Sequence, residues 1–369
     1  MTLVPHDLPD YVELSGNQVY RPPYTARETE LFGFTVTANR DAIDALLQEA
    51  LVEPAGNAVD YRCAHEDIMI TFARIGRMGS GDPVDRDRGW MAEREVAVWC
   101  LAADAAAGHR LVWYLPYVFT DSGQTVVTGR EVYGYPKQIG VFEGESEAFL
   151  RNLHIGGDTT VRALSIHPFD SEAEVRPMLS VTRQPDAGAV IGGTGWEDFE
   201  FISHAIGIYE AELQVSESLP FGPTPEPSAT ITSADAPPPP PTPAPRPWHR
   251  RLLDMPGGRG VIDQPHDMIA NMVLSPTLVF LKQFRDVSCA TKACYQAVIE
   301  APLDVRPEGA TYEQLDPLAF SIAVADWASH PIAKDLGIST PQVVRPKHAF
   351  RAEFDFNILL GQEVWRAPT

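Results

Sequence analysis

The stretch Leu31-Phe-Gly-Phe-Thr-Val-Thr37 alternates with period two, the pattern of a half-buried β-strand. Asn39 then stands where it caps a helix over Arg40-Asp-Ala-Ile-Asp-Ala-Leu-Leu-Gln-Glu-Ala-Leu51, with Ile43, Leu46, Leu47 and Leu51 on one face. Further strand-like runs follow at Ile68 to Ile75, Val96 to Leu101 and Leu111 to Phe119, with turn residues such as Gly79-Ser-Gly-Asp-Pro83 between them. That spacing favours antiparallel β structure over βαβ repeats. Toward the carboxyl end, Thr277 to Phe284 and Ala293 to Glu300 are strand candidates. The run Phe350 to Leu360 alternates apolar Phe350, Ala352, Phe354, Phe356 and Ile358 with polar neighbours. The middle differs. Trp196 to Leu213 reads as a helix, and Ser216 to Pro247, with five consecutive prolines from Pro237 to Pro241, can neither pair as a strand nor coil as a helix. An extended, surface-exposed spacer is the expectation for it.

The chain has 369 residues, 44% of them hydrophobic, enough for a sizeable core. Its 29 basic side chains against 50 acidic ones give a net charge of −21, which argues against nucleic acid or an anionic membrane surface as the main partner. The first ten residues lack the basic and apolar regions of a secretory peptide, and no run approaches the roughly 20 apolar residues of a membrane helix. Cys63, Cys100, Cys289 and Cys294 form no Cys-x-x-Cys pair. A reducing cytoplasm is the expected setting.

Several chemistries find no motif. There is no phosphate-binding Gly-x-x-x-x-Gly-Lys-Ser/Thr loop, and the glycines of Ile191-Gly-Gly-Thr-Gly-Trp196 lack the dinucleotide spacing. No His-Glu-x-x-His or ligand cluster appears, so His154, His167 and His204 read as packed or surface groups, and neither a metal nor a cofactor is expected. No Gly-x-Ser-x-Gly elbow is present. One segment stands apart: Gly129-Arg-Glu-Val-Tyr-Gly-Tyr-Pro-Lys137, where proline fixes the backbone just before a lysine flanked by apolar strands.

The pattern Gly129-Arg-Glu-x-x-x-Tyr-Pro-Lys-x-x-Gly140 resembles the signature of acetoacetate decarboxylase and its relatives, in which the lysine forms a Schiff base with a keto acid. Pro23-Tyr24 with the following strand and helix resembles that family's opening. Trp90-Met-Ala-Glu-Arg-Glu-Val-Ala-Val98 resembles its strand carrying an active-site glutamate, here Glu93. Thr277 to Pro302 and Ala352 to Trp365 resemble its carboxyl half. Two departures stand out: Gln138 replaces a second lysine, and Thr29 occupies the place of the substrate-carboxylate arginine, with Arg27 two residues earlier on the same strand face.

The resemblance implies an α+β, mainly antiparallel fold, a cone-shaped, barrel-like core with flanking helices and a Pro-rich insertion. It implies a catalytic domain made of residues 1–145 and 261–369, interrupted by an atypical extension at 146–215 and the insertion at 216–260. It implies a homo-oligomer acting on a small keto acid. Lys137 is then the nucleophile, Glu93 the proton-transfer carboxyl and Arg27 the carboxylate anchor. Tyr135, Tyr117 and Gln138 line the substrate, with Arg130 and Glu131 supporting the turn. An amine attacks only when unprotonated, and at an ordinary pKa about one lysine in 2,500 is neutral at pH 7. Without a cation at 138, burial is expected to depress the Lys137 pKa. Decarboxylation of a β-keto acid is the leading expectation. An aldolase or dehydratase using the same imine, and a non-catalytic carboxylate-binding protein, are the alternatives.

Overall fold

Tyr24–Thr37 forms one long strand, β1, and its alternation serves two apolar regions rather than one. Phe32, Phe34 and Val36 pack outward with Ile43 and Leu47 of helix α1 (Arg40–Leu47), while Thr29 and Leu31 face the opposite way. The Asn39 side chain accepts a hydrogen bond from the Ala42 amide at 3.0 Å, capping α1 as its sequence position suggests, and a π-helical turn continues the helix to Val52. The computed structural model describes residues 8–14, 16, 19–107, 110–144, 148–165, 172–185, 190–192, 276–338 and 343–368. The helix expected from Trp196 to Leu213, the proline segment, His167, His204 and most of the span 146–260 lie outside the described residues.

The remaining strands are β2 (Tyr61–Cys63), β3 (Asp67–Ser80), β4 (Met91–Asp104), β5 (Arg110–Thr120), β6 (Lys137–Phe142), β7 (Gly157–Ser165), β8 (Glu174–Arg183), β9 (Val190–Gly192), β10 (Thr277–Arg285), β11 (Ala293–Leu315), β12 (Phe320–Val324), β13 (Val343–Val344), β14 (His348–Ile358) and β15 (Gln362–Arg366). Seven of them close on themselves in the order β1, β3, β4, β5, β10, β11, β14 and back to β1. The result is an α+β architecture with a barrel-like core, mainly antiparallel as expected. Strands β6, β7, β8, β12 and β13 continue as an arm from β5. Among the described residues both parallel pairings involve β5, one with β6 and one with β10.

The first of these parallel pairs positions the lysine motif. Parallel neighbours need a crossover, and here it is the short helix α2 (Gly123–Thr128) followed by a π-helical turn to Tyr133. It returns the chain so that Lys137 pairs with Val118, which in turn pairs with Ala97 of β4. Two motif glycines make the path possible. A Cβ on Gly129 would sit 3.2 Å from Cδ of Lys137, and Gly134, at φ +85°, would bring one within 2.6 Å of the Lys282 backbone.

On the outer side of β1, Glu30 lies between Arg351 Nε at 2.8 Å and His154 Nε2 at 2.7 Å. Burial alone would raise its pKa, but the bonds from His154 and Arg351 outweigh burial and hold it down to about 2. A depressed carboxyl contributes stability above its ordinary pKa near 4.5, and the contribution is lost as pH falls toward 2. Glu30→Gln is therefore expected to destabilise the protein by about 2 kcal/mol at pH 7, discounted for partial exposure, and by little at pH 2. Urea titrations at both pH values check this; an equal loss at both would assign the effect to packing.

Candidate active site

The ring encloses a cavity of about 170 Å³, and all seven ring strands contribute to its wall. The face of β14 that alternates in the sequence, from Phe350 through Ala352, Phe354 and Phe356 to Ile358, is part of this wall. Trp99, Trp113, Leu115, Leu278 and Leu303 supply more apolar surface. The Trp99 indole donates to the Thr71 hydroxyl at 2.9 Å, which leaves that side of the cavity with little polar character.

Into this apolar space projects Lys137, 6% exposed. Its Nζ is 2.7 Å from Glu95 Oε2 and 3.7 Å from Glu93 Oε1. The two carboxylates share a face because residues two apart on β4 point the same way. Glu93 is 1% exposed; its Oε2 is 3.4 Å from the Thr120 hydroxyl, and its Oε1 makes no hydrogen bond. Burial pushes the Glu93 carboxyl up, despite the pull of the Lys137 charge in the other direction. Burial also works against the Lys137 ammonium, but attraction to Glu93 and Glu95, with the close contact to Glu95, outweighs it and raises that pKa above the ordinary lysine value. The expected depression of this amine is therefore reversed. Two carboxylates beside a desolvated ammonium stabilise it more than burial destabilises it.

Tyr135 lines the same cavity, its ring 5.7 Å from Lys137 Nζ and 4.0 Å from the Phe280 ring. The other expected residues lie elsewhere. Tyr117 donates from its hydroxyl to Asp335 Oδ2 at 2.5 Å, and Gln138 Oε1 is 2.7 Å from His330 Nε2. Neither lines the cavity. Arg27 donates to the carbonyls of Ala26 and Phe356 and to Asn357 Oδ1, with Asp355 at 3.5 Å. A bulge explains its place: between Ala26 and Thr29 the pairing with β14 slips, and Glu28 sits at φ +56°. The extra residue breaks the alternation that would have put Arg27 on the Thr29 face. Thr29 does line the cavity, and its buried hydroxyl has no partner. Arg130 donates to the Lys137 carbonyl at 3.3 Å, and Glu131 accepts from the Tyr11 hydroxyl at 2.8 Å. Arg94 pairs with Asp121 at 2.6 Å, leaving Glu93 to Lys137.

The Lys137 motif does not point to Glu95; its signal in the sequence is the Glu-x-Glu spacing within a strand. Among the described residues no group of three His, Cys, Asp or Glu side chains is placed to hold a metal ion, and no helix is long and apolar enough to cross a membrane.

No family model matches the sequence, and no curated protein matches it. Solved structures do. The acetoacetate decarboxylase of Legionella pneumophila aligns with a TM-score of 0.50 at 12% identity, over 98% of this chain and 93% of that one. An acetoacetate decarboxylase-like enzyme from Sphingomonas wittichii RW1 gives 0.49 at 11% identity, over 95% and 96%. The enduracididine biosynthesis enzyme MppR, complexed with the condensation product of pyruvate and imidazole 4-carboxaldehyde, gives 0.46 at 14%, over 94% and 91%. At 12% identity the likeness to the Legionella enzyme is one of backbone architecture, and on that ground this chain has the fold of acetoacetate decarboxylase.

Proposed function

We propose that the chain is a Schiff-base lyase that decarboxylates a β-keto acid through Lys137. The observation that carries this reading is a single buried amine, flanked by two carboxylates, on the wall of an otherwise apolar cavity. Lysine at such a site is a covalent catalyst once its proton is removed. Glu95 is in hydrogen-bond contact with that proton and accepts it as the ketone enters. Nζ then attacks the carbonyl carbon. The proton taken up by Glu95 passes, with Glu93 as the second proton-transfer carboxyl, to the departing hydroxyl, and water leaves to give a protonated imine. The bond to the carboxylate carbon breaks, its electron pair moves into the iminium to form an enamine, and carbon dioxide departs. A proton returned to carbon regenerates the iminium, and water releases the ketone and the free amine.

Borohydride reduction in the presence of acetoacetate, followed by peptide mass analysis, should place an adduct on Lys137, with carbon dioxide evolved when the reductant is omitted. No adduct with any keto acid would favour a non-catalytic carboxylate-binding protein. An aldolase is the second reading, favoured by the size of the cavity: apolar voids of roughly 150 Å³ take up benzene, so an enamine here leaves room for an aldehyde. Condensation of pyruvate with an aromatic aldehyde, without carbon dioxide release, would select it.

The wall also predicts substrate preference. Burying about 100 Å² of additional apolar substrate surface is worth up to about 2.5 kcal/mol. A β-keto acid with a phenyl or propyl group in place of the acetoacetate methyl is therefore expected to show kcat/KM about 10-fold higher or more. Equal or lower values would mean that the apolar volume does not hold the substrate tail.

A further inference from the structure

Lys137 borders two spaces. Behind the main cavity lies a second one of about 40 Å³, bordered by Lys137, Tyr135, Gly129, Thr125, Thr128 and Gln124. Nε2 of Gln124 is buried and has no hydrogen-bond partner. A buried amide donor without an acceptor is costly, so a group that accepts from it there is favoured. The neighbouring Thr125 hydroxyl donates to the Ser122 carbonyl at 3.0 Å, and no hydrogen bond from Gln124 reaches its oxygen.

We infer that this small space is the subsite for the substrate carboxylate, with the Gln124 amide as its neutral donor. The inference rests on the imine at Lys137 proposed above. In a β-keto acid the carboxylate carbon is two bonds from the carbon that Nζ attacks, so it lies close to Lys137, which borders both spaces. The main cavity offers it no cation except Lys137 itself and opposes it with Glu93 and Glu95. Arg27 does not reach either space, its guanidinium being bound to backbone carbonyls and Asn357. The small space, about 40 Å³, has room for a carboxylate. A neutral amide also binds the anion less tightly than a guanidinium does, which suits a group that must depart as uncharged carbon dioxide.

The test compares an anionic and a neutral ketone, acetoacetate and acetone, by the concentration of each that half-saturates borohydride labelling of Lys137. In Gln124→Glu the affinity ratio of acetoacetate to acetone should fall at least about tenfold through charge repulsion. Gln124→Met, which keeps the shape and removes the donor, should lower the same ratio in the same direction. An unchanged ratio in both variants would overturn the subsite, leaving the space to a water molecule, as would a parallel loss of both ketones, which marks a purely structural residue. Absence of label from either ketone in the unaltered protein is a separate outcome: it overturns the imine and the subsite with it.

Discussion

Lys137→Ala is expected to abolish the borohydride-trapped adduct and to lower carbon dioxide release from a β-keto acid by at least about 10⁴-fold. No other described lysine lines either space, so nothing nearby can take over the covalent step. The variant should also be less stable, for a reason unrelated to catalysis. Glu93 and Glu95 would face each other in a dry wall without their shared cation, and breaking a buried ion pair from one side typically costs about 3–5 kcal/mol. The two effects separate by pH. Stability lost through unpaired carboxylates should return as the solution is acidified through the carboxyl range and the groups become neutral, whereas the adduct should stay absent at every pH. Lys137→Ala that still labels elsewhere in the cavity and still releases carbon dioxide would remove this residue from the mechanism. Circular dichroism at the assay pH distinguishes loss of chemistry from loss of fold.

Some of this was legible in the sequence because it is local. The period of β1, the cap at Asn39 and the alternation of β14 are properties of a few consecutive residues, and the structure carries them as read. The Gly129 to Lys137 motif likewise encodes its own geometry: one glycine leaves room for the lysine stem and another lets the chain pass against Lys282. What was not legible depends on partners far along the chain. The parallel pairings of β5 arise from a crossover and from a strand beginning at Thr277, and alternation within β5 says nothing of either. The position of Arg27 turns on one inserted residue in a bulge, which a count by twos cannot detect. Tyr117 and Gln138 are near Lys137 in sequence or pairing, yet they turn to the other face of the sheet, where Asp335 and His330 meet them. The largest difference concerns charge. Burial alone predicts a depressed lysine, whereas the fold brings Glu95 to 2.7 Å and reverses the sign.

That reversal makes Glu95→Gln the informative variant. A pair of carboxylates holds the Lys137 ammonium above its ordinary value of 10.5, so deleting one charge must lower the amine pKa, by about 1–3 units for a contact at this distance. Imine formation should then reach half its maximal rate at a pH at least about one unit lower than in the parent protein. At the same time the plateau rate should fall about 10²-fold, because the amide that replaces the carboxylate cannot accept the ammonium proton. The stability curve provides an independent check with a definite sign. A group whose native pKa is raised contributes stability in full below its unfolded value, and the contribution is lost as pH climbs above about 10.5 toward the native value. Glu95→Gln should therefore cost stability at pH 7 and progressively less above pH 10.5. If the variant kept the parent's pH profile, the titrating group would not be Lys137. If the profile moved but the plateau did not fall, Glu95 would serve only as counter-charge, and the proton would leave by way of Glu93 or water.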